Sequence, residues 1–157
     1  MHIRVHVPSQ TLDLLDGEAL VRRYVVSTSR YGIGTESGSN KTPPGRFRVA
    51  EKFGDGAAPG EIFRQRISTG MIGSEGEGED NVQTRILWLE GLDPENANTY
   101  ERYIYIHGTN AESQLGFPAS HGCVRMSNLD VIDLYDLAQV GDEVFIDADD
   151  VASGAAV

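Results

Sequence analysis

A mostly β, single-domain chain with a curled or barrel-like sheet and one principal helix at 128–138 is what the sequence predicts. Three observations predict it. Apolar residues alternate with polar ones from the first residues onward, the period-two pattern of a half-buried strand. Three such stretches follow one another within about thirty residues, with no helical periodicity between them. Only after Cys123 does the apolar spacing become that of a helix. A length of 157 residues suits one core. No internal repeat or linker divides the chain, and curling the sheet removes edges that many short strands would otherwise expose.

Ile3, Val5 and Val7 alternate with His2, Arg4 and His6, so the two histidines are read as surface residues. Leu12 and Leu14 continue the pattern, and Asp16-Gly17 is a hairpin signal. Leu20 through Thr28 is the third strand. Residues 29–45 read as a glycine-rich loop whose exit Pro43-Pro44-Gly45 pins before Phe47 and Val49 resume a strand. The run 73–80, Gly-Ser-Glu-Gly-Glu-Gly-Glu-Asp, reads as a solvated loop, with a lid over the cleft as the alternative reading, because neighbouring carboxylates repel and glycine imposes no conformation. Ile86 to Leu89 and Tyr103 to Ile106 read as core strands, with Trp88 as core or cleft wall.

Ser127 is an N-cap candidate with Asp130 three residues on. Leu129, Ile132 and Tyr135, flanked by Val131, Leu134 and Ala138, make the apolar face of the helix, and Gly141 is expected to end it. Val144-Phe145-Ile146 is a final strand, and 148–157 is expected to be a frayed tail.

The charge narrows the partners. A formal net charge of -11 argues against nucleic acid and anionic membrane surfaces. No apolar run reaches the ~18 residues of a membrane helix. The N-terminus starts as a strand with no apolar h-region, so a cytoplasmic location is expected, or a periplasmic or cell-wall one if an export signal has been removed.

Chemistry concentrates at Ser120-His121-Gly122-Cys123-Val124-Arg125-Met126. Cys123 is the only cysteine, so no intrachain disulfide forms. A thiol of ordinary pKa near ~8.5 is only about 3% thiolate at pH 7. A nearby imidazolium that lowered it toward ~7 would raise that fraction roughly fifteenfold. His121 stands two residues before the cysteine, and His107 ends the run Tyr103-Ile104-Tyr105-Ile106. A lone free cysteine is usually a buried core residue, but Ser, His, Gly and Arg are poor company for one.

This stretch, with His107-Gly108-Thr109 upstream, resembles the signature of the L,D-transpeptidase (YkuD-type) catalytic domain. Thr42-Pro43-Pro44-Gly45 and Val140-Gly141-Asp142-Glu143-Val144-Phe145-Ile146 extend the resemblance in the right order along the chain. It implies thiol acyl transfer on peptidoglycan tetrapeptide stems, with Cys123 as nucleophile, His107 as base and His121 lining the site. No metal or cofactor is implied. The nucleophile of the family attacks the third stem residue, usually meso-diaminopimelate, and releases terminal D-alanine. Water as acceptor gives an L,D-carboxypeptidase suited to murein recycling; an amine gives a crosslinking transpeptidase. Carbapenem-type β-lactams are expected covalent inhibitors.

Some family members carry a hydroxyl residue where this chain has Gly108, so a backbone carbonyl would have to orient the His107 ring. The Gly122 and Cys123 amides are oxyanion-hole candidates. Arg125 either clamps a substrate carboxylate or braces the loop, and Ser120 and Thr109 are candidate substrate contacts. Because stem peptides carry carboxylates, the site needs local positive charge: Arg125 first, then Lys41, Arg46, Arg48, Arg64 and Arg66, each of these five read first as an ordinary solvated surface charge. Two other classes are carried alongside: a zinc enzyme on His107, His121 and Cys123, and a non-catalytic murein-binding module.

Overall fold

In the computed structural model, residues 1–78 and 80–149 are described. Most of the expected tail, residues 150–157, lies outside them. Ten strands and one helix follow in chain order: β1 (His2–His6), β2 (Thr11–Asp16), β3 (Ala19–Ser27), β4 (Gly45–Phe53), β5 (Glu61–Arg64), β6 (Ile67–Ile72), β7 (Val82–Gly91), β8 (Tyr105–Gly108), β9 (Val124–Met126), α1 (Asn128–Leu137) and β10 (Glu143–Asp147). They form one mixed sheet in the order β4-β10-β1-β2-β3-β9-β8-β7-β5-β6. An added pairing of β4 with β7 closes it into a barrel. The predicted mostly β, barrel-like class with one principal helix is what the chain adopts.

The alternation read in the sequence becomes the barrel interior. Ile3, Val5, Leu12, Leu14, Phe47, Val49, Leu87, Leu89, Ile106 and Val124 are fully buried in one core. Each such side chain contributes roughly 1.5–3 kcal/mol over leaving it in water. Gly17, at φ +61, supplies the left-handed residue that the β2–β3 turn needs. Helix α1 starts as expected, with the Ser127 hydroxyl accepting from Asp130 N–H at 3.0 Å. It packs Val131, Leu134 and Tyr135 into the same core.

Several details differ from the sequence reading. Leu129 points to solvent at 71% exposure. The helix stops at Leu137 with Ala138 as an extended C-cap, before Gly141 is reached. Lys52 stands in for a glycine cap: its ammonium donates to Tyr135 O at 2.6 Å and to Ala138 O at 2.8 Å, which satisfies end carbonyls and opposes the dipole. Tyr103 is outside β8, exposed and at φ +56. The β5–β6 hairpin was not foreseen, since its turn residues Gln65 and Arg66 take positive φ without a glycine. Among the described residues no helix is long and apolar enough to cross a membrane.

Candidate active site

The site lies on the outer face of the parallel pair β8–β9. Ile106 pairs with Val124 and His107 with Arg125. Alternation then divides the two strands between faces. Ile106, Val124 and Met126 enter the barrel core. Tyr105 and Cys123 pack instead in a smaller cluster with Phe63, Ile86 and Trp88. His107 and Arg125 follow them on that second face, so Cys123 and His107 are diagonal neighbours there.

Cys123 is half-buried just ahead of β9. Its Sγ accepts from Tyr105 N–H at 3.3 Å and donates to Tyr103 O at 3.4 Å. Behind it Trp88 stacks on Tyr100 with ring centroids 3.9 Å apart. Arg66 is no ordinary surface charge: it caps Trp88 at 4.5 Å and donates to the Tyr105 hydroxyl at 3.0 Å. Burial pushes the Cys123 thiol up to about 11, and the Asp80 carboxylate pushes the same way. Tyr105 N–H and the guanidiniums of Arg125 and Arg102 oppose this only in part.

His107 is buried, and its Nδ1 lies 2.5 Å from Gly108 O. Only a protonated Nδ1 can make that bond, so a neutral ring carries its proton there and presents a bare Nε2. Burial holds the imidazole below its ordinary 6.5, while Asp80 and the Gly108 carbonyl raise it and Arg125 lowers it. Burial thus pushes both partners toward their neutral forms, and among the described residues no hydrogen bond joins them.

Gly108 has no room for a side chain. A Cβ there would come within 2.6 Å of Asn128 Oδ1 and 2.7 Å of Gln83 O. Restoring the hydroxyl seen in other family members should therefore harm this chain. Gly108→Ser is expected to lower stability by about 1–3 kcal/mol, with a thermal melt as the check.

Arg125 is 2% exposed, yet it faces a cavity of about 240 Å³ with Arg30, His121, Gln114 and Asp80 in its lining. Its Nη2 meets Asp80 Oδ2 at 2.6 Å and its Nη1 donates to Gln114 Oε1 at 3.0 Å, while its buried Nε has no partner among the described residues. His121 is exposed, 3.6 Å from the same Asp80 carboxylate. It also borders a second cavity beside Arg102.

Thr109 and Ser120, the two candidate substrate contacts, are turned inward. Thr109 is fully buried, and its hydroxyl accepts from Ala111 N–H at 3.1 Å. Ser120 is buried too, donating to Cys123 O at 2.6 Å and accepting from Gly122 N–H at 3.3 Å. Both shape backbone and leave no surface for a ligand. The Gly122 amide is thus already engaged.

Sequence reasoning missed Arg30, Asp80 and Thr42. Thr42 is fully buried and donates to Gly122 O at 2.9 Å, which ties the loop of residues 29–45 to the cysteine loop. The Thr-Pro piece of the resemblance was its one signal. For Asp80 the one hint was the alternative of a lid for the acidic run it closes, which otherwise looks uniformly solvated. Arg46 and Arg48 are spent on Glu143 and Glu90 on the exposed faces of β4, β7 and β10, away from the site.

Comparison with known proteins agrees with this geometry. The family model for the L,D-transpeptidase catalytic domain matches residues 1–146. YqjB of Bacillus subtilis (strain 168), which carries an L,D-transpeptidase name, is 33% identical over 119 residues, covering 76% of this chain and 59% of the relative. An L,D-transpeptidase from Mycobacterium smegmatis has a similar fold at TM-score 0.60 and 20% identity, covering 93% of this chain and 58% of that one. L,D-transpeptidase 3 from Mycobacterium tuberculosis, solved with a faropenem-derived adduct, gives TM-score 0.59 and 18% identity, covering 92% and 59%. The chain thus spans somewhat less than two thirds of these proteins. With a family match over nearly its whole length and the family's barrel around its one cysteine, this chain belongs to the L,D-transpeptidase (YkuD) catalytic domain family.

Proposed function

We propose that this domain is a cysteine acyl-transfer enzyme acting on peptidoglycan tetrapeptide stems, with water as its main acceptor. One observation carries the reading: Cys123 and His107 lie on one face of adjacent parallel strands, and Gly108 O fixes the His107 tautomer. A neutral base and a neutral thiol avoid holding a buried ion pair before substrate arrives.

Nε2 takes the thiol proton as Sγ bonds to the carbonyl carbon of meso-diaminopimelate. The C–N bond to D-alanine then breaks, and the imidazolium returns the proton to the leaving amine. Water, activated by the same imidazole, hydrolyses the thioester to a tripeptide acid and restores the thiol. With the Gly122 amide turned to Ser120, the Cys123 amide is the better oxyanion donor, and such a donor is worth about 3 kcal/mol.

Arg125 is the carboxylate clamp in this reading. The Asp80 carboxylate already seated on it supports the choice, because that seat fits the terminal carboxylate of a stem. Arg30 supplies the further local positive charge that a protein of net charge -11 needs there. The faropenem-derived adduct of the Mycobacterium tuberculosis relative supports β-lactams as covalent ligands here, and the imipenem complex of the L,D-transpeptidase LdtMt1 supports carbapenem-type ones as ligands.

The acceptor is decided by incubating the protein with free tetrapeptide and with polymeric murein, then separating products by mass. Tripeptide and D-alanine without dimers is the expected result, in keeping with a cytoplasmic recycling role. Abundant crosslinks between third stem residues, or attack on polymer alone, would replace it with a wall-modifying transpeptidase.

A further inference from the structure

Whatever holds the Gly108 carbonyl decides which nitrogen of His107 is free to act as base. Opposite that glycine, β7 is irregular: the pairing register with β8 slips between Gln83 and Ile86. Within the slip Thr84 sits at φ +75, a sparsely populated conformation for a β-branched residue. Bulges of this kind gather beside active sites, where they aim a group.

The Thr84 hydroxyl accepts from Gly60 N–H at 2.9 Å and donates to Asn128 Oδ1 at 2.6 Å. Gln83 Nε2 reaches the same oxygen at 3.3 Å. Asn128 Nδ2 donates to Thr109 O at 3.1 Å and to Glu112 Oε2 at 2.9 Å. Both polar atoms of the Asn128 side chain are thus committed, and their partners flank Gly108 on both sides. The side chain itself lies against the glycine, which is why no Cβ fits there. The peptide carrying the Gly108 carbonyl thus lies between the glycine whose Cβ position the Asn128 side chain fills and Thr109, whose carbonyl accepts from Asn128 Nδ2.

We propose that Asn128, seated by Thr84, is a positioning residue that holds the Gly108 carbonyl on His107 Nδ1 and so reserves Nε2 as the base. The inference rests on His107 acting as base in the proposed reaction, but its first readout does not need turnover. Asp80 and Arg125, the charged groups that face the ring, are unchanged by the substitutions below.

The test compares wild type, Asn128→Ala and, as a shape-keeping second variant, Thr84→Val. Imidazole ¹⁵N NMR across pH reads the His107 tautomer and titration directly. Wild type should show a single Nδ1–H tautomer. Both variants should show a tautomer mixture and a lower titration midpoint, since an interaction that favours the charged ring is weakened. Where peptide turnover is measurable, kcat should fall about tenfold with KM changed less than about twofold, the size expected for an outer positioning partner. The acid limb of the rate profile should move down with the midpoint. Unchanged tautomer and midpoint in a folded variant, with only a lower melting temperature, would overturn the proposal. Absent turnover by wild type with the expected NMR shift would sink the acyl-transfer reading and leave the positioning role standing.

Discussion

Cys123→Ala should retain the fold and lose turnover by on the order of 10⁴- to 10⁶-fold, as expected when a nucleophile is deleted. The thiol packs at the rim of the small Phe63–Ile86–Trp88–Tyr105 cluster, so removing it trims little from the core. About 1 kcal/mol of stability is the expected loss near neutral pH. At alkaline pH the sign reverses. The folded thiol titrates near 11 against 9.0 for an ordinary one. The neutral thiol's contribution is therefore complete below pH 9.0 and is lost as pH rises toward about 11. Denaturant melts at pH 7 and pH 10 check this: wild type should lose stability between them, and the alanine variant should lose less. A variant that still cleaves stem peptide would remove Cys123 from the chemistry.

The second large effect separates the histidines. His107→Ala should cost 10²- to 10⁴-fold in kcat/KM, the usual worth of a positioned base. His121→Ala should cost under about tenfold, because its ring is exposed, lying 3.6 Å from the Asp80 carboxylate and tilted beside the Tyr31 ring. The pH profile adds a second reading. The working base is neutral imidazole, and burial lowers its pKa, so activity should rise with pH through an inflection below 6.5. That limb should vanish in His107→Ala and persist in His121→Ala. The same shift affects folding: protonation of the buried ring should weaken the fold as pH drops below 6.5. Losses in the opposite order would move the base role to His121.

Where period-two alternation had a buried face to mark, the strands were legible: Ile3, Val5, Leu12 and Leu14 all reach zero exposure. The β5–β6 hairpin was not, because its apolar residues Ile67, Met71 and Ile72 stand exposed and leave no alternating signature. The cysteine motif located the site, since its residue types serve chemistry better than packing. It could not show the site's charge balance. Arg30 is distant in sequence and reaches the cavity only through the β3 exit, and Asp80 arrives from a run that repels itself in the unfolded chain. Nor could local sequence reveal that the Cys123 thiol is desolvated. That follows from Tyr105 and Trp88 closing over it, a contact made only once β7 and β8 pair.

Intact-protein mass spectrometry after incubation with a carbapenem tests the nucleophile most directly, with peptide mapping to place the modification. The expected result is a single adduct on Cys123 in wild type, none in Cys123→Ala, and slowed formation in His107→Ala. A wild-type protein that stays unmodified, or carries its adduct on any other residue, would contradict acyl transfer through Cys123.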